Sequence, residues 1–369
     1  MLGTPTKDNM NANADPSADL SLQQGTDPIG GRIIVMGASA GGVEALLRLA
    51  PQLASNLAAP IVLVLHIGAH RSHLPELLNA HGPLHAMFAR NGTVPLNGTI
   101  HVAPPDQHVL LEGGALRLTR GPKEHHSRPA IDPLFRSAAL DAGPRAIGVV
   151  LTGYLDDGSA GLQAIKACGG TAVVQDPLDA AEASMPRSAM ACGPVDHVVA
   201  LDALADLLNG LTQTAATPLP AYAPDWLRTE HAITLGKGHM QGLATIGAPS
   251  GFTCPDCGGA MFELGQKQPV RFMCHTGHAF SLRSLARSQE KIADHALWSG
   301  LRALQEKEGM LRRMAKQHGD DAADTPALMA EADELAAFID RLRSAVVNAP
   351  SGRPKEVPTD EARRVAGER

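Results

Sequence analysis

Three residue types that together support acyl-transfer chemistry follow three separate apolar runs. Ser39 lies in VMGASAGGVEALLRL (35–49), where an apolar strand meets a glycine-rich turn and then a helix. His66 directly follows IVLVL, and Asp156 and Asp157 lie in LTGYLDDGSAG (151–161) after a third run. A hydroxyl, an imidazole and a carboxylate are the nucleophile, general base and orienting group of a serine hydrolase. The G-x-S-x-G pattern at 37–41 permits a sharp turn that exposes the serine Oγ, and the helix N-terminus beyond it can stabilise an oxyanion. Taken alone, the turn serves equally well as a phosphate cradle. The order Ser…His…Asp is not that of α/β-hydrolases, chymotrypsin or subtilisin. No acidic residue ends the second strand where a ribose would need one; His66 stands there instead. The three residues together favour hydrolysis.

A second constellation lies far along the chain. FTCPDCGGAMFELGQKQPVRFMCHTGHAF carries Cys254 and Cys257 as C-x-x-C, then Cys274 and His278. That spacing suits four ligands of one tetrahedral zinc ion, a closed site that folds its surroundings and does not catalyse. His275 is a rival fourth ligand, but adjacent residues rarely reach the same ion, and His278 has the more usual spacing. Cys168 and Cys192 read as small buried residues, because nothing basic is placed to activate them.

The elements that must position these groups are legible as alternating patterns. RIIVMG (32–37), PIVLVLH (60–66), AIGVVLTG (146–153) and GTAVVQD (170–176) are the continuous runs of strands buried on both faces. Amphipathic stretches such as 43–54 and 159–169 lie between them, so the expected fold is α/β, a doubly wound and mostly parallel sheet. Ligands gather beyond the carboxyl ends of such strands, where Ser39, His66 and Asp157 are expected. Residues 99–119 read as short strands of an antiparallel insert or edge.

Around that unit, residues 1–30 are expected to be a disordered polar tail and 31–210 the α/β domain. Residues 211–249 are expected to be a linker, 250–282 the Cys/His module, 283–348 a helical segment and 349–369 a polar tail. In the first helix Leu297, Leu301, Leu304, Met310, Leu311 and Met314 recur at helical spacing. The helices are expected to form a hairpin or a dimer contact.

Composition narrows the class. The 369 residues carry a formal charge of −6, so no nucleic-acid partner is expected. Aromatic residues are only 3%, which leaves Val, Ile, Leu and Ala to build the core. No apolar run approaches the ~20 residues of a membrane span, and the N-terminus has no signal-peptide core. Five cysteines without a disulfide framework fit a cytoplasmic protein.

The chain resembles the catalytic domain of CheB, the chemotaxis protein-glutamate methylesterase, over about residues 31–210. The likeness rests on IVMGASAGGVEAL, VLHIGAHRSHLPELL, GTIHVAPPDQHVLL, RPAIDPLFRSAA, GVVLTGYLDDGSAGL and VVQDPLDAAEASMPRSAM, in the family's order. It implies Ser39 as nucleophile, His66 as general base and Asp157 as the orienting aspartate. It also implies a backbone N–H at Tyr154 in the oxyanion hole; Ala40 and Gly41 are the candidates beside it. The family usually has Thr where this chain has Ala40 and Met where it has Tyr154, which puts substrate fit in question. His125, His126 and Arg128 are expected to edge the crevice, with Arg128 a substrate contact. Arg71, Arg128 and Arg136 could give a basic rim for acidic receptor helices.

The implied substrates are glutamyl methyl esters of methyl-accepting chemoreceptors and, in relatives, glutamine side chains. The protein would then be peripheral to membrane-bound receptors, and the chemistry needs no cofactor. Only about thirty residues, mostly polar, precede the first strand, so the chain is expected to lack the receiver domain of CheB enzymes. Control would come from a partner or the C-terminal module, or activity would be constitutive. The Cys/His and helical extension resembles one found on some receiver-less relatives. The alternative to an esterase is a signalling or docking protein that keeps the fold without catalysis.

Overall fold

The computed structural model describes residues 31–66, 71–215, 223–237, 240–265, 269–318 and 323–348. Both polar termini and part of the expected linker lie outside these residues. The first half of the chain alternates strands and helices. It begins β1 (Ile33–Ala38), α1 (Gly42–Leu49), β2 (Ile61–Leu65), α2 (Leu74–His81), β3 (His85–Phe88) and β4 (Thr99–Val102). A hairpin, β5 (His108–Glu112) and β6 (Ala115–Thr119), precedes α3 (Ile131–Ala142) and β7 (Ala146–Val150). Then come α4 (Ser159–Ala167), β8 (Thr171–Gln175), α5 (Ser184–Cys192), β9 (His197–Val199) and α6 (Leu201–Gln213).

Seven strands form one sheet in the order β3-β4-β2-β1-β7-β8-β9, and every neighbouring pair is parallel. Strand β1 shows why its sequence is apolar throughout. Ile33 and Val35 enter the core beneath α3 and α4, while Ile34, Met36 and Ala38 enter the core beneath α1, α2 and α6. Burying each of the Ile, Val and Met side chains contributes roughly 1.5–3 kcal/mol. The chain builds outward from β1 through β2, then crosses to β7 on its other side, so β1 marks the topological switch. Ligand crevices form at that point, beyond the strand ends.

The reading of 99–119 as an antiparallel insert is half corrected. Strand β4 belongs to the parallel sheet, and only the β5–β6 hairpin is antiparallel and separate. Four residues are too short a run to display the continuous apolar pattern of a buried strand. The half-exposed β3 was not anticipated for the same reason.

The stretch 211–249 also differs from expectation. It carries α7 (Asp225–Thr234) and α8 (Met240–Ile246), with Leu227, Glu230 and Ile233 buried. Leu227 packs into the core of the parallel sheet, while Ile233 and Leu243 pack with Leu264, Met273 and Ala279 of the next unit. These helices join two cores. Polar residues at the solvent face of α7 weaken its apolar periodicity, which concealed it in the sequence.

A four-stranded antiparallel sheet follows: β10 (Gly247–Thr253), β11 (Ala260–Leu264), β12 (Arg271–Cys274) and β13 (Ala279–Ser281). Its core is Cys254, Met261, Phe272, Cys274, Phe280 and Leu285. Helix α9 (Leu282–His318) then pairs with α10 (Thr325–Val347), and Lys307–Glu331 and Arg312–Asp333 ion pairs run between them. Leu301 and Leu311 of the expected stripe are buried, with Ala332 and Ile339 opposite, but Leu297, Met310 and Met314 are exposed.

The two sheets are joined by a buried charge network. Arg136 of α3 pairs with Glu124 and with Glu230 of α7, and Arg271 of β12 pairs with the same Glu230. All four side chains are at most 1% exposed. Arg136 therefore does not supply a basic rim; it is a strut inside the protein.

Candidate active site and metal centre

The turn after β1 can be sharp because Gly41 adopts φ 74°, in the left-handed region. A Cβ there would meet Ala181 and Thr152 as well. Ser39 donates its backbone N–H to the Thr152 carbonyl at 3.0 Å. The Thr152 hydroxyl donates to the Ala40 carbonyl at 2.9 Å and accepts from the Glu182 N–H at 2.8 Å. Thr152 thereby ties the serine turn to the strand-end loops of β7 and β8. This brace was missed in the sequence, where Thr152 is simply the middle of L-T-G.

The structure brings Ser39, His66 and Asp157 together. His66 Nδ1 lies 3.1 Å from Ser39 Oγ, and His66 Nε2 lies 2.7 Å from Asp157 Oδ2. The carboxylate can only accept from Nε2–H, so Nδ1 is the free base facing the hydroxyl. Strands β1, β2 and β7 are adjacent in the sheet, which is why residues so far apart in the chain meet.

Asp157 is held by more than His66. Its Oδ2 also accepts from Ile131 N–H at 2.8 Å, and its Oδ1 accepts from Asp132 and Gly158 N–H groups at 3.0 and 2.9 Å. Ile131 and Asp132 open helix α3, so the helix N-terminus holds the anion. Burial alone would raise the pKa of Asp157. The His66 hydrogen bond, the charge of His125 and the Ile131 N–H outweigh it and hold the carboxyl well below the usual range. Of the two aspartates, Asp156 faces elsewhere, accepting from Ser281 Oγ at 2.7 Å. Burial pushes its pKa up.

Around the nucleophile, Ala40 and Gly41 lead into α1. Among the described residues, the N–H groups of Ala40, Gly41 and Tyr154 donate to no backbone oxygen. The Tyr154 side chain is exposed. Gly153 approaches Ser39 so closely that an added Cβ would stand 2.7 Å from the serine Cβ.

The loop expected to edge the crevice is differently arranged. Arg128 donates to Asp106 Oδ1 at 2.8 and 2.9 Å and to the Arg120 and Gly121 carbonyls, which makes it a brace for that loop. His125 is buried against Asp132 and Ser284 of α9. His126 turns to Asp256 at 2.8 Å and lies edge-on to Phe280. Both histidines face the second sheet. Arg71 remains exposed. Burial and the charges of Asp156 and Asp132 push the Cys192 thiol up to about 11, and burial raises Cys168 too, so neither is an activated thiol.

Cys254, Cys257, Cys274 and His278 bring one ligand atom each within 4.8 Å of one another. Cys257 Sγ is 3.7 Å from Cys274 Sγ, and Cys274 Sγ is 3.6 Å from His278 Nδ1. Zinc bonds of ~2.3 Å to sulfur and ~2.05 Å to nitrogen give tetrahedral edges of about 3.8 and 3.6 Å. The donor set and its spacing therefore fit the ion. Two backbone knuckles preform it: Gly258 N–H bonds to the Cys254 carbonyl and Gly277 N–H to the Cys274 carbonyl, each at 2.8 Å. His275 is exposed, with its ring against Gly259, and is not in the cluster.

Residues 34–208 match the family described as CheB methylesterase. A Leptospira interrogans protein, named provisionally as a protein-glutamate methylesterase/protein-glutamine glutaminase, is 40% identical over 186 residues. The match covers 49% of this chain and 94% of that protein. The chain belongs to the CheB methylesterase family. An Anaeromyxobacter dehalogenans protein-glutamate methylesterase/protein-glutamine glutaminase is 39% identical over 181 residues, 48% of this chain and 53% of its own length. The chain thus spans about half of that relative. The crystal structure of the Thermotoga maritima CheB methylesterase catalytic domain aligns with 31% identity, over 49% of this chain and 98% of that one, at a TM-score of 0.47. The family match ends before the Cys/His module and the helices. Among the described residues, no helix is long and apolar enough to cross a membrane.

Proposed function

We propose that this chain is a protein-glutamate methylesterase whose substrates are glutamyl methyl esters of methylated chemoreceptors, with glutamine side chains as a second substrate. The observation that carries this reading is the hydrogen-bonded chain Ser39 Oγ–His66–Asp157 at 3.1 and 2.7 Å. His66 Nδ1 takes the hydroxyl proton as Ser39 Oγ attacks the ester carbonyl. Asp157 fixes the tautomer and stabilises the imidazolium. The amides of Ala40, Gly41 and Tyr154 are the groups available to the developing oxyanion. His66 then returns the proton to the departing methanol, or to ammonia when the substrate is glutamine. Water, deprotonated by the same nitrogen, releases a glutamate carboxylate from the acyl-enzyme.

The reaction needs no metal. Cys254, Cys257, Cys274 and His278 would hold a structural zinc ion, which supplies a cross-link between β12, the turn before β13 and the C-x-x-C knuckle. The reading also makes the protein cytoplasmic and peripheral to its receptor, since methylated receptor helices lie on that side of the membrane. Methanol release from a methylated receptor fragment tests it. Wild type should release methanol, and Ser39→Ala should lose at least ~10³-fold in kcat with an unchanged circular dichroism spectrum. Equal release by the two proteins would remove Ser39 from the chemistry.

A further inference from the structure

Three carboxylates behind His66 surround one buried side chain. Asp132 on α3 and Asp156 and Asp157 before α4 are each at most 5% exposed. His125 stands among them, its Nε2 3.4 Å from Asp132 Oδ2 and 4.0 Å from Asp157 Oδ1, its Nδ1 4.0 Å from Asp156 Oδ1. Three carboxylates set the charge of the ring. Ser281 Oγ gives its proton to Asp156 at 2.7 Å, and Ser284 Oγ lies 3.2 Å from the Ser281 carbonyl and 2.9 Å from His125 Nδ1. When Ser284 Oγ donates to that carbonyl, it accepts from His125 Nδ1–H. Nε2 faces carboxylate oxygen and donates to it. With both nitrogens donating the ring is an imidazolium, the form favoured by three carboxylates within 4.0 Å. Burial opposes that charge, but the Asp132 hydrogen bond and the charges of Asp157, Asp156 and Asp132 carry the pKa up to about 9.

The second sheet puts the ring there. His125 N–H donates to the Ala279 carbonyl at 2.8 Å, and Glu124 forms a parallel bridge to Ala279, the first residue of β13. His125 and His126 have φ of 52° and 61°, a region that side chains with a Cβ avoid and that these bonds maintain. Ser281 ends β13, and Ser284 lies in the first turn of α9. His125 and Asp156 are thus both gripped by a part of the chain outside the family match.

We infer that His125 is a positioning residue of the Ser39–His66–Asp157 site: a cation that β13 and α9 hold beneath Asp157, keeping that carboxylate ionised and partly offsetting its field at His66. The groups facing His125 are Asp132 from α3, Asp156 and Asp157 from the turn before α4, and Ser284 from α9. Arg283 of α9 acts on Asp156 from beyond, and Asp156 in turn acts on the Cys192 thiol of α5. His66 is faced by Ser39 and Asp157. Removing the cation leaves the Asp157 charge less opposed, so His66 holds its proton more tightly and its pKa rises.

The kinetic half of the test rests on the esterase reading; the spectroscopic half does not. Full-length His125→Gln and Ser284→Ala are compared with wild type by NMR titration of the His66 imidazole and by the pH profile of kcat/KM for methanol release. A unit charge one carboxylate away, at an effective dielectric of about 20, moves a pKa by roughly one unit. The His66 pKa and the acid limb of the profile should rise by about that much in His125→Gln and by less in Ser284→Ala, with KM little changed. A folded His125→Gln protein with both quantities unmoved overturns the inference. Should that variant fail to fold, unmoved values in Ser284→Ala overturn it instead. A His66 pKa that rises in a protein releasing no methanol would support the inference and sink the esterase reading.

Discussion

Replacing Asp157 by Asn removes one charge and turns one acceptor into a donor, and the surroundings decide where that donor goes. On the Oδ1 side it would oppose two N–H groups, those of Asp132 and Gly158. On the Oδ2 side it would oppose only Ile131 N–H, because His66 can change tautomer and accept. The amide nitrogen should therefore take the Oδ2 side. His66 Nδ1 then carries a proton and points it at Ser39, which disables the base. The expected kcat loss is ~10⁴-fold, the scale of a triad held in the wrong tautomer. Loss of the charge-assisted Ile131 bond costs about 1.5–3 kcal/mol of stability. The pH dependence has a definite sign. The folded pKa of Asp157 is depressed, so its contribution is present above the unfolded value near ~3.9 and is lost as pH falls through the folded value. Urea unfolding at several pH values and methanol-release kinetics measure both effects. A variant with kcat within about tenfold of wild type and unchanged stability at neutral pH would refute the reasoning.

Gly153→Ala would place a methyl 2.7 Å from the Ser39 Cβ and 2.1 Å from Met185 Sδ. It should displace the nucleophile and cost at least ~10-fold in kcat with about 1–3 kcal/mol of stability; full activity would contradict the close approach. Arg136→Met leaves Glu124 buried without its cation and should destabilise the protein by about 3–5 kcal/mol in urea titrations, whereas an unchanged midpoint would mean the network contributes nothing. Metal analysis should find about one zinc ion per chain. A chelator should lower both stability and esterase activity, because β13 touches the loop behind Asp157; metal-free protein of full stability would exclude the structural ion.

The strands that carry Ser39, His66 and Asp157 were legible because burial on both faces leaves an unbroken apolar run. The polar residue ending each run then stands out, and the sheet's topology makes the three neighbours. The short β4 and half-exposed β3 leave no such signature, nor does α7, whose buried residues Leu227, Glu230 and Ile233 include a charge. Arg136 and Arg128 looked like free surface cations because a sequence does not reveal that Glu124 and Glu230 await Arg136 inside, or that Asp106 pairs with Arg128 in a partly exposed loop. His125 was concealed most completely. Its role depends on Ala279, Ser281 and Ser284, more than 150 residues away, and no local pattern links them. Trp226 of α7 packs against the core of the parallel sheet, while Trp298 lies exposed on α9.

The central claim is that the Ser39 oxygen becomes acylated during turnover. Acid-quenching the protein during steady-state hydrolysis of a methylated receptor peptide, followed by peptide mapping by mass spectrometry, tests it directly. Wild type should yield a Ser39 peptide heavier by the glutamyl fragment, with no such adduct in Ser39→Ala or His66→Ala. Turnover with an adduct on another residue would contradict it.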